Sequence, residues 1–251
     1  MKAMLAPRTF HGYAKVMLTI VFDLDGTLID TAPDLIATLN YILTRHGLPT
    51  VPYDDARPLI GGGARSMIER GLILEGRSAS TADIDRLYTA FIAHYADHIA
   101  DRSRPFPELE PTLDRVAAAG HILAVCTNKL EWLSRRLLDA LQLTPRFAAI
   151  CGQDTFGVQK PDPLIFRLTV ERAGGDPDRA IMVGDSITDI RTARAAKAPV
   201  VAVDFGYTDV PVARLAPDRV ISSFAELPAA IAALAPVKNA LDDQGFMGHK
   251  N

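Results

Sequence analysis

Leu18-Thr19-Ile20-Val21-Phe22-Asp23-Leu24-Asp25-Gly26-Thr27 runs from β-prone apolar side chains into two acids spaced by one residue, and then into a glycine turn. An apolar run without polar alternation reads as a strand buried on both faces, the usual state of strands in a parallel sheet. A residue at the carboxyl end of such a strand projects into the crevice where open α/β sheets bind ligands. Gly26 lets the chain fold over, so that Asp25 faces the same space. The plainer alternative for the two acids is a solvated turn.

Further runs of the same character lie at residues 122–126, 147–150, 180–183 and 200–203. Amphipathic stretches at 110–119, 131–141, 163–173 and 187–197 separate them, each long enough for a crossover helix. The fold class is therefore α/β with a doubly wound parallel sheet. Residues 34–100 break the rhythm with helical periods and no comparable strand. Leu35, Thr38, Leu39, Ile42 and Leu43 fall on one helical face, and residues 64–74 and 83–99 repeat that spacing before Pro105. This interval is expected to be an inserted helical domain, with the core at 18–33 and 101–235. Residues 1–17 and 236–251 read as an N-terminal extension and a C-terminal tail.

Composition bounds the remaining possibilities. The 251 residues are 48% hydrophobic and 23% charged, so a core can form and disorder is a poor reading. Basic residues number 27 against 30 acidic, for a net charge of -3, which lacks the footprint of a phosphate-tracking nucleic-acid binder. A small-molecule partner is expected, and no nucleic acid. Cys126 and Cys151 have no C-x-x-C or His-rich partner and read as buried thiols, consistent with a reducing, cytoplasmic setting. The apolar stretch 227–237 is shorter than the ~20 residues that cross a bilayer, and Pro228 and Pro236 interrupt it, so no membrane partner is expected. The first residues lack the apolar segment of a secretory signal.

A second acidic signal is Val183-Gly184-Asp185-Ser186-Ile187-Thr188-Asp189, where a strand ends and a helix begins. One Asp there can simply cap the helix. A second acidic strand end opening into the same crevice favours a hard-cation site instead. Thr127 and Asn128 follow the run 122–126, and Lys160 follows 147–150. Singly they read as a turn and a surface lysine. Together they supply a hydroxyl, an amide and a positive charge to the mouth that carries the acids, as binding a phosphoryl group beside a cation requires.

With these residues in order, the chain resembles the haloacid dehalogenase superfamily phosphatases over roughly residues 18–235. Asp23-Leu24-Asp25-Gly26-Thr27 matches the first motif, Thr127 the second, Lys160 the third and Asp185 to Asp189 the fourth. The helical insert resembles the family's type-one cap. Asp30-Thr31-Ala32-Pro33-Asp34, Ile60-Gly61-Gly62-Gly63-Ala64, Lys160-Pro161-Asp162-Pro163 and Phe205-Gly206-Tyr207 are most similar to the bacterial phosphoglycolate phosphatases. Two positions depart from that pattern. Gly62 stands where the cap loop commonly has Asn, which bears on a cap contact, and Lys197 stands where Gly commonly ends a helix.

The resemblance implies a small phosphorylated metabolite as substrate and Mg2+ as cofactor. It implies Asp23 as the nucleophile and Asp25 as the group that protonates the leaving alkoxide and then activates water. Metal ligands would come from Asp23, the Asp25 backbone carbonyl and Asp185, with Asp189 in an outer shell. Thr127, Asn128 and Lys160 would hold phosphoryl oxygens. Arg65, on the glycine-rich cap loop, would clamp a substrate carboxylate; its alternative is a surface arginine. His46, His94 and His98, and the aromatic residues Tyr88, Phe91, Tyr95 and Trp132, read as surface or packing positions.

Other activities compete. A dehalogenase does not need Asp25, and a cap lysine for imine chemistry is missing, since no lysine occurs between Val16 and Asn128. A phosphosugar mutase, a pyrophosphatase and other ester phosphatases share the main residues. A phosphate-accepting regulatory protein also places acids, Thr and Lys at parallel strand ends, but gains nothing from a built-in water activator.

Overall fold

A computed structural model describes residues 17–235 apart from Ser78 and Asp209. The expected tail and nearly all of the expected extension lie outside the described residues. Five strands appear where the apolar runs predict them: β1 (Thr19–Phe22), β4 (Ile122–Cys126), β5 (Ala149–Cys151), β6 (Ala180–Gly184) and β7 (Val200–Val203). A sixth, β8 (Arg219–Ile221), completes a parallel sheet of order β5-β4-β1-β6-β7-β8. It was not legible because it is short and two of its three residues are exposed, so no apolar run marks it. A small antiparallel pair, β2 (Ile29–Asp30) with β3 (Arg104–Pro105), stands where the chain leaves for the insert and returns from it.

The insert contains α1 (Ala32–Arg45), α2 (Tyr53–Ala56), α3 (Gly63–Leu74) and α4 (Thr81–Asp97). Pro33 and Asp34 open α1 as first-turn residues should, and the Ser80 side chain caps α4 by accepting from the Asp83 N–H. After the insert come α5 (Leu109–Ala118), α6 (Glu131–Ala140), α7 (Pro163–Arg172), α8 (Ile187–Ala195) and α9 (Leu227–Leu234).

The side chains of β1 alternate between the two faces of the sheet. Ile20 and Phe22 join a core with α5, α6, α9 and the cap helices, while Val21 joins one with α7 and α8. Phe22 is fully buried and contributes about 1.5–3 kcal/mol by the burial of its ring. Packing on both faces holds β1 rigid and so fixes the direction of the residue that follows it, Asp23.

The chain's exit to the insert is pinned by buried polar groups. Both oxygens of Asp34 accept from the Arg102 N–H, at 3.1 and 3.0 Å, and Oδ2 also accepts from the N–H and hydroxyl of Ser103, at 2.8 and 2.7 Å. Asp34 thus ties the insert's entrance to its exit. The Tyr207 hydroxyl accepts from the N–H groups of Thr31 and Ala32, at 2.6 and 2.9 Å, and donates to Asp30 at 2.7 Å. Arg57 reaches from the cap to the carbonyls of Phe205 and Gly206. Gly206 has no alternative, because a Cβ there would collide with the Asp185 side chain.

Candidate active site

Each predicted core motif falls at the carboxyl edge of the sheet. Asp23 follows β1, Thr127 follows β4, Asp185 follows β6, and Lys160 lies on the loop after β5. The Asp23 N–H donates to the Val183 carbonyl at 2.9 Å, which extends the β1–β6 ladder one step and fixes the side chain at the sheet edge. Gly26 adopts φ +83°, and a Cβ there would meet Asp185 and Tyr207, so the turn brings the first motif against the fourth only with glycine in place.

Lys160 is buried and bridges two acids, with Nζ 2.8 Å from Asp23 Oδ1 and 2.6 Å from Asp189 Oδ1. Burial works against its charge, but Asp189 and Asp23 outweigh that and hold its pKa above the ordinary lysine value. Asp189 Oδ2 is taken by the hydroxyl of Ser186 at 2.6 Å and its N–H at 3.1 Å, closing a capping box on α8. Asp185 accepts from the Thr27 hydroxyl at 3.1 Å and the Tyr207 N–H at 2.8 Å. The capping role that the sequence offered to an aspartate falls to Ser186, which is the N-cap, and Asp189 completes the box from the third helical position.

Asp23, Asp185 and Asp189 are all buried, and each offers an oxygen within 4.8 Å of the others. Burial pushes the Asp23 carboxyl up to about 6, with Lys160 pulling the other way. Burial, and then the neighbouring Asp189 and Asp23, pushes Asp185 up to about 8. Three carboxylates thus face one ammonium, and the cluster is short of positive charge. An all-oxygen donor set with that deficit fits a hard divalent cation. Asp23 and Asp185 would hold it. Asp189, with both oxygens engaged, would orient them from behind.

Asp25 has a partner that the sequence reading missed. Lys129 Nζ donates to both its oxygens, at 2.7 and 2.9 Å, and the Thr31 hydroxyl donates to Oδ1 at 2.7 Å. The Lys129 side chain is only 5% exposed. Burial opposes its charge, but Asp25 and Tyr95 outweigh that and raise its pKa. Its ammonium also sits 4.7 Å from the centre of the Tyr95 ring, on cap helix α4. A signal was available: between residues 17 and 235 the chain uses arginine almost throughout, and its only lysines are Lys129, Lys160 and Lys197.

These groups border a cavity of about 40 Å³ between cap and core, lined on the polar side by Asp23, Asp25, Thr127, Asn128, Lys129 and Gln153. Tyr88, Phe91 and Tyr95, expected to be packing residues, also line it. Thr127 is buried and accepts from the Lys129 N–H at 3.2 Å. Both ends of the Asn128 side-chain amide clamp the Lys160 backbone, with Oδ1 accepting from its N–H at 2.9 Å and Nδ2 donating to its carbonyl at 3.1 Å. That amide is therefore engaged in placing Lys160. Arg65 is not brought to the cavity. It pairs with Asp85 and lies over the Tyr88 ring, because the start of α3 directs it toward α4.

Comparison with known proteins agrees with this arrangement. The family model described as haloacid dehalogenase-like hydrolase matches residues 20–203. A protein of Agrobacterium fabrum named phosphoglycolate phosphatase is 52% identical over 211 residues, covering 84% of this chain and 91% of that one. A protein of the same name from Caulobacter vibrioides is 47% identical over 212 residues, covering 84% of this chain and 90% of its own. The crystal structure of a predicted phosphoglycolate phosphatase from Haemophilus somnus superposes with a TM-score of 0.79 at 28% identity, covering 85% of this chain and 97% of that one. With its parallel sheet, its acids at the carboxyl edge and its helical insert, this chain belongs to the haloacid dehalogenase-like hydrolase family.

Proposed function

We propose that this hydrolase is a magnesium-dependent phosphatase of small phosphate monoesters, and that 2-phosphoglycolate is its substrate, giving glycolate and phosphate. The observation that carries the reading is the pairing of Asp23 with Lys160 inside a buried cluster of carboxylates, beside a narrow cavity that Asp25 also lines. The substrate follows from the names of the relatives, two of which are 52% and 53% identical to this chain.

A carboxylate attacking a phosphate ester must overcome charge repulsion, and a bound Mg2+ would supply the countercharge. An Asp23 oxygen forms a bond to phosphorus as the ester P–O bond breaks, and the departing oxygen takes its proton from Asp25. Water then gives a proton to Asp25 and attacks the same phosphorus, which breaks the bond to Asp23 and restores its carboxylate. Such proton transfers typically contribute about 10²- to 10⁴-fold. Lys160 offsets charge on Asp23 and the phosphoryl oxygens, the Thr127 hydroxyl is placed to donate to one of them, and Asn128 keeps Lys160 in position. The division into a core of 18–33 and 101–235 and a cap of 34–100 suits this chemistry, since a cap lying on the core excludes water until the ester is seated.

Phosphate release from 2-phosphoglycolate, other small phosphate esters and pyrophosphate, with and without Mg2+, tests the reading, with Asp23→Asn as control. The highest kcat/KM on 2-phosphoglycolate, lost in the variant and without Mg2+, is expected. A different preferred ester would reassign the substrate, and no turnover on any compound would overturn the proposal.

A further inference from the structure

We propose that Lys129 and Tyr95 form a subsite for a carboxylate on the alcohol portion of the ester, so that the enzyme selects phosphate esters of hydroxy acids. The inference rests on the phosphatase reading and supplies what Arg65 was expected to supply. Among the residues lining the cavity, the charged ones are Asp23, Asp25 and Lys129. Lys160 bridges Asp23 and Asp189 and does not line the cavity, whereas Lys129 lines it and, with three donors, can serve a second carboxylate beside Asp25. The order of groups is informative. The phosphoryl group belongs at Asp23, the leaving oxygen at Asp25, and Lys129 stands directly against Asp25, 2.7 Å away. A carboxylate one carbon beyond the leaving oxygen would come within reach of that ammonium.

Tyr95 provides the second observation. It is 1% exposed and it borders the cavity, and its hydroxyl proton meets no acceptor among the described residues, because the neighbouring Lys129 ammonium can only donate to it. Burial pushes this phenol up to about 12, so it keeps its proton and remains a donor. An orphaned buried donor is costly, and a carboxylate accepting from both Tyr95 and Lys129 removes the cost. The remaining wall is mostly apolar, with Leu35, Met67, Phe91 and Ile92, and Gln153 and Tyr88 are too few polar side chains for the several hydroxyls of a sugar. A polyol would leave most of those hydroxyls unpaired, so the same wall discriminates against sugar phosphates. Because Tyr95 comes from the cap and Lys129 from the core, the subsite is complete only with the two in contact.

The test compares kcat/KM for 2-phosphoglycolate and for its neutral amide, carbamoylmethyl phosphate, in the wild type, Lys129→Met and Tyr95→Phe. Wild type should favour the acid. Lys129→Met should lose about 10- to 100-fold more on the acid than on the amide, and Tyr95→Phe about 3- to 10-fold more. Equal losses on both esters would show that the two residues only position Asp25, and would overturn the subsite. If Lys129→Met does not fold, the Tyr95→Phe ratio decides, with an unchanged ratio counting against the proposal. Wild type that hydrolyses both esters equally keeps the phosphatase and overturns the subsite, whereas hydrolysis of neither overturns the phosphatase reading itself.

Discussion

Metal-free protein should lose stability as the pH rises from about 5 to 8, and Mg2+ should restore it most at the upper end. Burial holds Asp23 at about 6 and Asp185 at about 8, against an ordinary 3.8. Over that interval the native state retains protons that the unfolded chain has released, so the free energy of unfolding falls as pH rises. The penalty is absent below about pH 4, where both states are protonated, and it is complete above the folded values. At about 1.4 kcal/mol per pH unit, Asp23 alone accounts for about 3 kcal/mol by pH 6, and Asp185 extends the fall toward pH 8. For a domain of this size, 3 kcal/mol lowers Tm by about 6–12 °C. A cation held by the native carboxylates stabilises that state by mass action, and more strongly where those ligands are ionised. Thermal unfolding in EDTA and in MgCl2 between pH 5 and 8 measures both effects, and Asp185→Asn should flatten the metal-free profile above pH 6. A flat wild-type profile, or an Mg2+ shift no larger at pH 8 than at 5.5, would refute the claim that the cluster lacks positive charge.

Lys160→Met leaves Asp23 and Asp189 buried without their cation, so kcat/KM on the preferred ester should fall at least 100-fold and the metal-free protein should lose about 3–5 kcal/mol, read by denaturant titration. Tyr207→Phe removes the acceptor of two backbone N–H groups and the donor to Asp30. It should cost about 1–3 kcal/mol and raise KM by loosening the cap junction, which steady-state kinetics and melting check together. Lys197 follows α8 at φ 60°, a conformation that disfavours any residue with a Cβ, so Lys197→Gly should stabilise the fold by about 0.5–1 kcal/mol with unchanged turnover.

The sheet was legible because strands buried on both faces leave apolar runs, and the core motifs were legible because their acids stand where those runs end. What escaped depends on residues far apart in sequence. Lys129 is buried only because Asp25 and Tyr95 meet it, the first of them 104 positions away. Tyr207 and Asp34 stand out in the sequence only inside family motifs, and their part in pinning the insert requires the chain's exit and return to lie together. Arg65 illustrates the converse: its loop does border the cavity, but the side chain's direction is set by Asp85 and Tyr88 on a neighbouring helix. The four-residue helix α2 and the strand β8 carry too few residues to show a period.

The central claim, that Asp23 accepts the phosphoryl group, is tested most directly by mass spectrometry of peptides from an acid-quenched reaction. Asp25→Asn should slow release of the phosphoryl group and let it accumulate. The account predicts a phosphorylated peptide carrying Asp23, formed with substrate and Mg2+ and absent from Asp23→Asn. Continued turnover by Asp23→Asn, or a phosphoryl group trapped on another residue, would contradict it.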